Sequence, residues 1–167
     1  MSGGTGVLPE GILKPRQVYA GGIIFLIIGT IIGLYFVITD GIIIGIILAF
    51  AVVSIYFYST KIVNWGLAEV FVSIKGTLIV IGTYFIQTSQ INESVIFGGI
   101  VIGVLSSLVL FITSFPDHDA DKAKGRKTLV ISLGKQKACS MLWVFPAIVY
   151  GISITAVIFE IFPISCL

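Results

Sequence analysis

Residues 18–38 read VYAGGIIFLIIGTIIGLYFVI, 21 residues without one charged side chain. At 1.5 Å per residue a helix of that length covers the ~30 Å hydrocarbon core of a bilayer. The Ile and Val content would favour strands in water. Yet the run lacks the period-two alternation of a transmembrane barrel strand and is too long for a buried one. In lipid an isolated span must satisfy its own backbone hydrogen bonds, which a helix does. Four further apolar segments follow, at 41–58, 66–87, 95–115 and 138–162. The expected fold is all-α, a multi-span transmembrane helical bundle of about five helices, with 1–167 forming a single transmembrane domain.

Composition agrees with that reading. Of 167 residues 57% are apolar and 11% charged, and the mean hydropathy is +1.12; an ordinary soluble domain has about 25% charged residues. This excludes a disordered chain, a disulfide scaffold and a soluble enzyme core. The net charge of +2 is too small, and too broken up by apolar sequence, for a nucleic-acid surface. Cys139 and Cys166 lack metal-ligand spacing and have apolar neighbours, so buried, reduced thiols are expected. The first seventeen residues lack the basic start and apolar core of a secretion signal, and no cleavage is expected there. Ser2-Gly3-Gly4-Thr5-Gly6 is not followed by Gly-Lys-Ser/Thr, which argues against a Walker-type nucleotide site.

Five crossings sort the basic residues. Lys14, Arg16, Lys61, Lys122, Lys124, Arg126, Lys127, Lys135 and Lys137 fall on one side, the turns near Asp40 and Asn92 on the other, and Lys75 lies inside the third span. By the positive-inside rule the first side is cytoplasmic. The protein is therefore expected in the cell membrane as a multi-pass protein with its amino terminus and the loop 116–137 cytoplasmic. Glycines four apart, at Gly29/Gly33, Gly41/Gly45 and Gly99/Gly103, suit close helix packing in lipid.

Half of the charged residues lie between Asp117 and Lys137. If that stretch starts helically, Asp117 and Asp121, four apart, share a face and repel unless a cation bridges them. Mg²⁺ suits this position, since it takes oxygen ligands and is typically held by one or two carboxylates plus substrate phosphate oxygens. Lys122, Lys124, Arg126 and Lys127, one to two turns on, are placed to bind the remaining phosphate charge. Together these residues read as a metal-diphosphate site at the membrane surface; the plainer alternative is a solvated loop whose charges neutralise each other. His118 is expected to be an exposed bystander, and Asp119 to point away from the Asp117/Asp121 face.

The pattern D-x-x-x-D-x-x-x-G-[KR]-x-T-L, here Asp117, Asp121, Gly125, Arg126, Thr128 and Leu129, resembles the second aspartate-rich motif of the UbiA superfamily of intramembrane prenyltransferases. The stretch 3–11, Gly66-Leu67-Ala68-Glu69, Gly76 and Gly82-Thr83-Tyr84 are similar to segments of its menaquinone-type branch. The chain departs from the family pattern at Ser114-Phe115-Pro116, at Ala68 and at Lys75. The resemblance implies a fold of about nine helices, of which these five correspond to helices three to seven. It also implies transfer of an isoprenyl group from an isoprenyl diphosphate, with Mg²⁺ as cofactor, to an aromatic acceptor. In the menaquinone branch that acceptor is 1,4-dihydroxy-2-naphthoate. Hydroxybenzoate, a prenylated glycerol phosphate and haem stay open as acceptors.

The family's first aspartate-rich motif has no counterpart here, because the aspartates are Asp40, Asp117, Asp119 and Asp121. Half of the metal clamp is then missing, so the chain alone is expected to be inactive, and a separate chain carrying that motif is a possible partner. Glu69, near the cytoplasmic end of the third span, suits a catalytic role in orienting the acceptor or a water; pairing with Lys61 is the alternative. Lys75, six residues deeper, is off the Glu69 face. Tyr56 and Tyr58 suit an interfacial belt. A CDP-alcohol phosphotransferase would need a D-G-x-x-A-R element that is absent. The remaining rival is a non-catalytic membrane subunit or transporter using Glu69 and Lys75.

Overall fold

A computed structural model describes residues 8, 10–123 and 125–166, with the backbone alone at 59 and 60. Lys124 and most of the 3–11 stretch lie outside the described residues. The described residues are helical and contain no strand: α1 (Pro15–Asp40), α2 (Ile42–Phe57), α3 (Ala68–Thr88), α4 (Glu93–Thr113), α5 (His118–Ala123), α6 (Leu129–Leu133), α7 (Lys135–Met141) and α8 (Val144–Ile158). Among the described residues four stretches are long and apolar enough to cross a membrane: Pro15–Asp40, Ala68–Thr88, Glu93–Thr113 and Lys135–Ile158, the last made of α7 and α8 together. The second expected span is shorter than the others. Its α-helix ends after 16 residues, and the chain continues as a π-helical turn, Tyr58–Ile62, and a 3₁₀ turn, Val63–Trp65.

The chain divides into two compact units, 1–53 and 54–167. In the first, α1 buries none of its residues, and Phe25 and Ile38 are 76% and 85% exposed. Such a surface is untenable in water and ordinary against lipid. Gly41 turns the chain from α1 into α2 at φ +93°, a left-handed conformation that a Cβ disfavours, while its N–H donates to the Val37 carbonyl at 3.0 Å. Gly33 faces Leu48 closely, whereas Gly29 and Gly41 have no neighbour in reach of an added Cβ.

The second unit is built on the antiparallel hairpin α3–α4. Asn92 caps α4 by accepting from the Val95 N–H at 2.9 Å, and its amide donates to the Tyr84 hydroxyl at 2.9 Å, which fastens the turn. Along the seam an added Cβ on Gly76 would stand 2.9 Å from the Gly103 Cα, and one on Gly99 3.1 Å from the Thr77 carbonyl. Here the four-residue glycine spacing does what membrane helices use it for, bringing backbone against backbone. The α8 helix packs on α4. A small core of Phe111, Val130 and Ala138, flanked by Phe115 and Phe145, holds α6 and α7 under the end of α4. The Phe111 ring meets Phe115 edge-on at 5.5 Å and Phe145 at 5.2 Å. Cys139 and Cys166 are free but exposed, contrary to the expectation of burial; at Cys139 this is because Ala138 and not its neighbour faces this core.

Gly66, just before α3, has φ +73°, and an added Cβ would sit 3.1 Å from the Lys127 carbonyl oxygen. Gly66→Ala therefore combines left-handed strain with pressure on the charged loop. Its expected cost is about 1–2 kcal/mol, read as a lower melting temperature in detergent; a melt equal to that of the unaltered protein would show that the loop yields freely.

Candidate active site

Antiparallel packing brings the start of α3 and the end of α4 to the same side, and the charged loop folds over both. Asp117 precedes α5, and the Asp121 N–H donates to the Asp117 carbonyl at 2.8 Å, one helical turn that sets the two residues on one face. Gly125 then reverses the chain at φ +71°, and the Arg126 N–H returns to the Asp121 carbonyl at 3.0 Å. Thr128 caps α6 by accepting from the Ile131 N–H at 3.3 Å and is itself buried. The chain thus leaves the site in a fixed direction.

These elements enclose a cavity of about 160 Å³ lined by Asp117, Asp121, Arg126, Glu69, Tyr58 and Thr128, with Leu110, Thr113 and Ser114 from the end of α4. The Arg126 guanidinium donates to Asp121 Oδ1 at 3.0 Å. Glu69 is 5% exposed; its Oε1 accepts from the Leu129 N–H at 3.3 Å, while Oε2 is buried and makes no hydrogen bond. A buried carboxylate oxygen without a partner costs free energy, so it marks a place where a donor or cation would bind. Lys61 does not pair with it and lies over the Phe57 ring at 5.0 Å.

Two other cavities adjoin. One of about 330 Å³, almost wholly apolar, shares Glu69 and runs between α3, α4 and α8 past Val70, Ile74, Val104, Val144 and Phe145. Another of about 180 Å³ shares Tyr58 and holds Lys75. Glu69 and Lys75 thus face different cavities.

The other described charged residues of the loop stand outside the polar cavity. Lys122 and Lys127 are exposed, and neither lines it. His118 is largely covered rather than exposed, 12% for its side chain, and meets Asp119 at 2.7 Å. Asp119 points outward and also accepts from Lys135 at 3.2 Å. These bonds, His118 first, hold its carboxyl below the usual aspartate range. A depressed folded-state value stabilises the fold above the ordinary pKa, and that contribution is lost as pH falls through the depressed one. Tyr58 was legible as an interfacial aromatic, but its place in two cavity walls follows from the π-helical turn, which a sequence does not announce.

The donor set tests whether a divalent cation fits. Asp117, Asp121 and Glu69 offer oxygen only, as Mg²⁺ requires. No group of three or more His, Cys, Asp or Glu among the described residues is close enough to hold a metal unaided. The described carboxylates thus have the right donor type for a hard cation but do not form a complete metal site by themselves.

The UbiA prenyltransferase family profile matches residues 5–167. A 1,4-dihydroxy-2-naphthoate octaprenyltransferase of Haemophilus influenzae is 38% identical over 73 residues, 43% of this chain and 24% of that protein. An enzyme of the same name from Bacillus subtilis is 35% identical over 75 residues, 45% of this chain and 24% of that protein. The matched stretch thus spans about a quarter of the length of these relatives. No solved structure matches the chain.

Proposed function

This chain belongs to the UbiA prenyltransferase family, and from that premise we propose that its polar cavity is one half of a site transferring an isoprenyl group from a diphosphate to an aromatic acid. The acceptor is 1,4-dihydroxy-2-naphthoate, the substrate named for both relatives. In this reading the reaction takes place at the bilayer surface, and the concentration of basic residues on that side supports a cytoplasmic face. The observation that supports this reading most is that Asp117, Asp121, Arg126 and the orphan oxygen of Glu69 line one cavity.

In the reaction the allylic C–O bond breaks, diphosphate leaves with the bonding pair, and a ring carbon of the acceptor forms the new C–C bond while losing its carboxyl group as carbon dioxide. Asp117 and Asp121 would hold Mg²⁺, which supplies positive charge to the leaving diphosphate. Arg126, already oriented by Asp121, donates to phosphate oxygens. Glu69 Oε2 accepts a hydroxyl proton of the acceptor and so fixes its ring. The apolar cavity between α3, α4 and α8 takes the first isoprene units of the tail, which keeps water from the ionising carbon. Lys122 and Lys127, exposed beside the mouth, and Lys124 draw the anionic substrate in. The opposite half of the metal clamp comes from outside these residues.

The complete assembly, reconstituted in lipid nanodiscs with a polyprenyl diphosphate and 1,4-dihydroxy-2-naphthoate, is expected to form prenylated product and release pyrophosphate only with Mg²⁺. Absence of transfer to any aromatic acid, or equal transfer in EDTA, overturns the reading.

A further inference from the structure

Lys75 stands seven residues past the start of α3, about 10 Å along the helix. A cation at that depth in a bilayer is costly unless it faces an anion or a polar cavity. Among the described residues Lys75 enters no ion pair. Its ammonium lies 6.0 Å from the centroid of the Tyr58 ring, a contact that orients it without neutralising it. The cavity of about 180 Å³ around it is lined by Ser54, Ile55, Tyr58, Phe71 and Val72, with no acidic residue among them. Ser54 is buried, and its hydroxyl oxygen makes no hydrogen bond. Two polar groups of one small cavity, a cation and a hydroxyl, thus stand without partners, and one carboxylate satisfies both.

These residues do not supply that carboxylate. Of the eight acidic residues, Glu69 faces the polar and apolar cavities and accepts from Leu129, and the other seven lie in loops, in the short α5 or at helix ends. A second copy lying parallel in the membrane meets the same limit. A lipid phosphate belongs to the interface and would have to sink into the hydrocarbon to reach Lys75. A side chain on a membrane-spanning helix reaches it without leaving its own span, and a helix is the form an isolated backbone takes at that depth. We infer that the Lys75 cavity is a socket for the Asp or Glu side chain of a transmembrane helix of a partner protein. One carboxylate oxygen sits on Lys75 Nζ, and the other accepts from Ser54 Oγ. The socket also selects: an apolar helix packed over it would leave the ammonium dry and unpaired, so wrong neighbours are rejected as the right one is favoured. Because Tyr58 lines both this cavity and the polar one, a helix seated here stands one side chain away from the polar cavity. The role of the socket is assembly, beyond prenyl transfer and independent of it.

The test places the full chain in phosphatidylcholine vesicles with synthetic leucine-rich helices of about twenty residues. Association is read by energy transfer between a dye on the chain and one on the peptide. One peptide carries a single Glu about 10 Å from one end, a second carries Gln there, and a third carries Glu at the helix centre. At about pH 8, where an unperturbed Glu is ionised, the first is expected to associate about tenfold more tightly than the others, the effect of a charge-assisted hydrogen bond. Lys75→Met should erase that preference, Lys75→Arg should keep most of it, and Ser54→Ala should reduce it by a few-fold. If the Gln peptide or the centred Glu peptide associates as tightly with the unaltered chain, the inference is overturned, as it is by a preference that survives Lys75→Met. The preference should persist when phosphatidylglycerol is added; its abolition there would assign the socket to a lipid phosphate instead. Self-association of the chain that Lys75→Met removes would assign it to a second copy. In detergent, Lys75→Met should keep or raise the melting temperature of the chain alone, since it removes an unpaired cation. A drop would mean that the ammonium already has its partner within the chain, which also overturns the inference. Association is read without turnover, so a failure of Mg²⁺-dependent transfer leaves it standing, and a failure of the Glu preference leaves the transfer reaction standing.

Discussion

Asp117→Asn is expected to lower Mg²⁺-dependent prenyl transfer by about 10²- to 10³-fold in the complete assembly, the range seen when one preorganised stabiliser of transition-state charge is removed. The substitution keeps volume and shape, and the hydrogen bond that closes the turn uses the Asp117 backbone carbonyl, not its side chain. The fold should therefore persist, with an unchanged helical signal and melting temperature. What changes is the charge lining the cavity. Asp121 already shares its charge with Arg126 at 3.0 Å. With Asp117 neutral, the cavity would retain too little negative charge to attract a divalent cation ahead of the diphosphate. Pyrophosphate release at saturating prenyl donor, measured across a Mg²⁺ titration, checks this. Transfer within about threefold of the original rate would falsify the assigned role.

Gly103→Val carries the largest expected effect on folding. Even the first carbon of a side chain there would run into the Ser73 carbonyl oxygen and the Thr77 hydroxyl. Neither can swing away, since one is backbone and the other is tied to the Ser73 carbonyl at 3.0 Å. Relief requires α3 to move off α4 as a body. Overpacking a well-packed interface costs about 1–3 kcal/mol, and a β-branched side chain against two fixed groups belongs at the upper end. Gly76→Ala and Gly99→Ala should follow in decreasing order, from approaches of 2.9 and 3.1 Å, and Gly29→Ala, with nothing within 4 Å, should leave the melt unchanged or slightly raised. Melting temperatures in one detergent rank the four. A Gly103→Val melt equal to that of Gly29→Ala would mean that the seam is not what holds the hairpin.

Much of this is legible in the sequence, and the exceptions have physical causes. Uncharged runs disclose spans because the bilayer sets their length, and the Asp117/Asp121 spacing discloses a shared face because a helical turn has a fixed period. The early end of α2 left no such mark, since Tyr58–Trp65 departs from α geometry while its apolar character barely changes. The four bases after Asp121 look alike in sequence. Gly125 at φ +71° turns Arg126 into the cavity while Lys122 and Lys127 stay in solvent. The covering of His118 and the exposure of Cys139 likewise depend on which side of a short helix turns inward, and a six- or seven-residue helix carries too little pattern to tell.

The glycine seam has a consequence for the bilayer around it. Hydrophobic mismatch is ordinarily absorbed by tilting individual helices, at a fraction of a kcal/mol per Å. Helices whose backbones touch at Gly76, Gly99 and Gly103 cannot slide past one another, so α3 and α4 tilt together. Glu69 at the head of one and Ser114 at the foot of the other then keep their spacing in thick and thin membranes alike, and the cavity's dimensions are insulated from lipid composition.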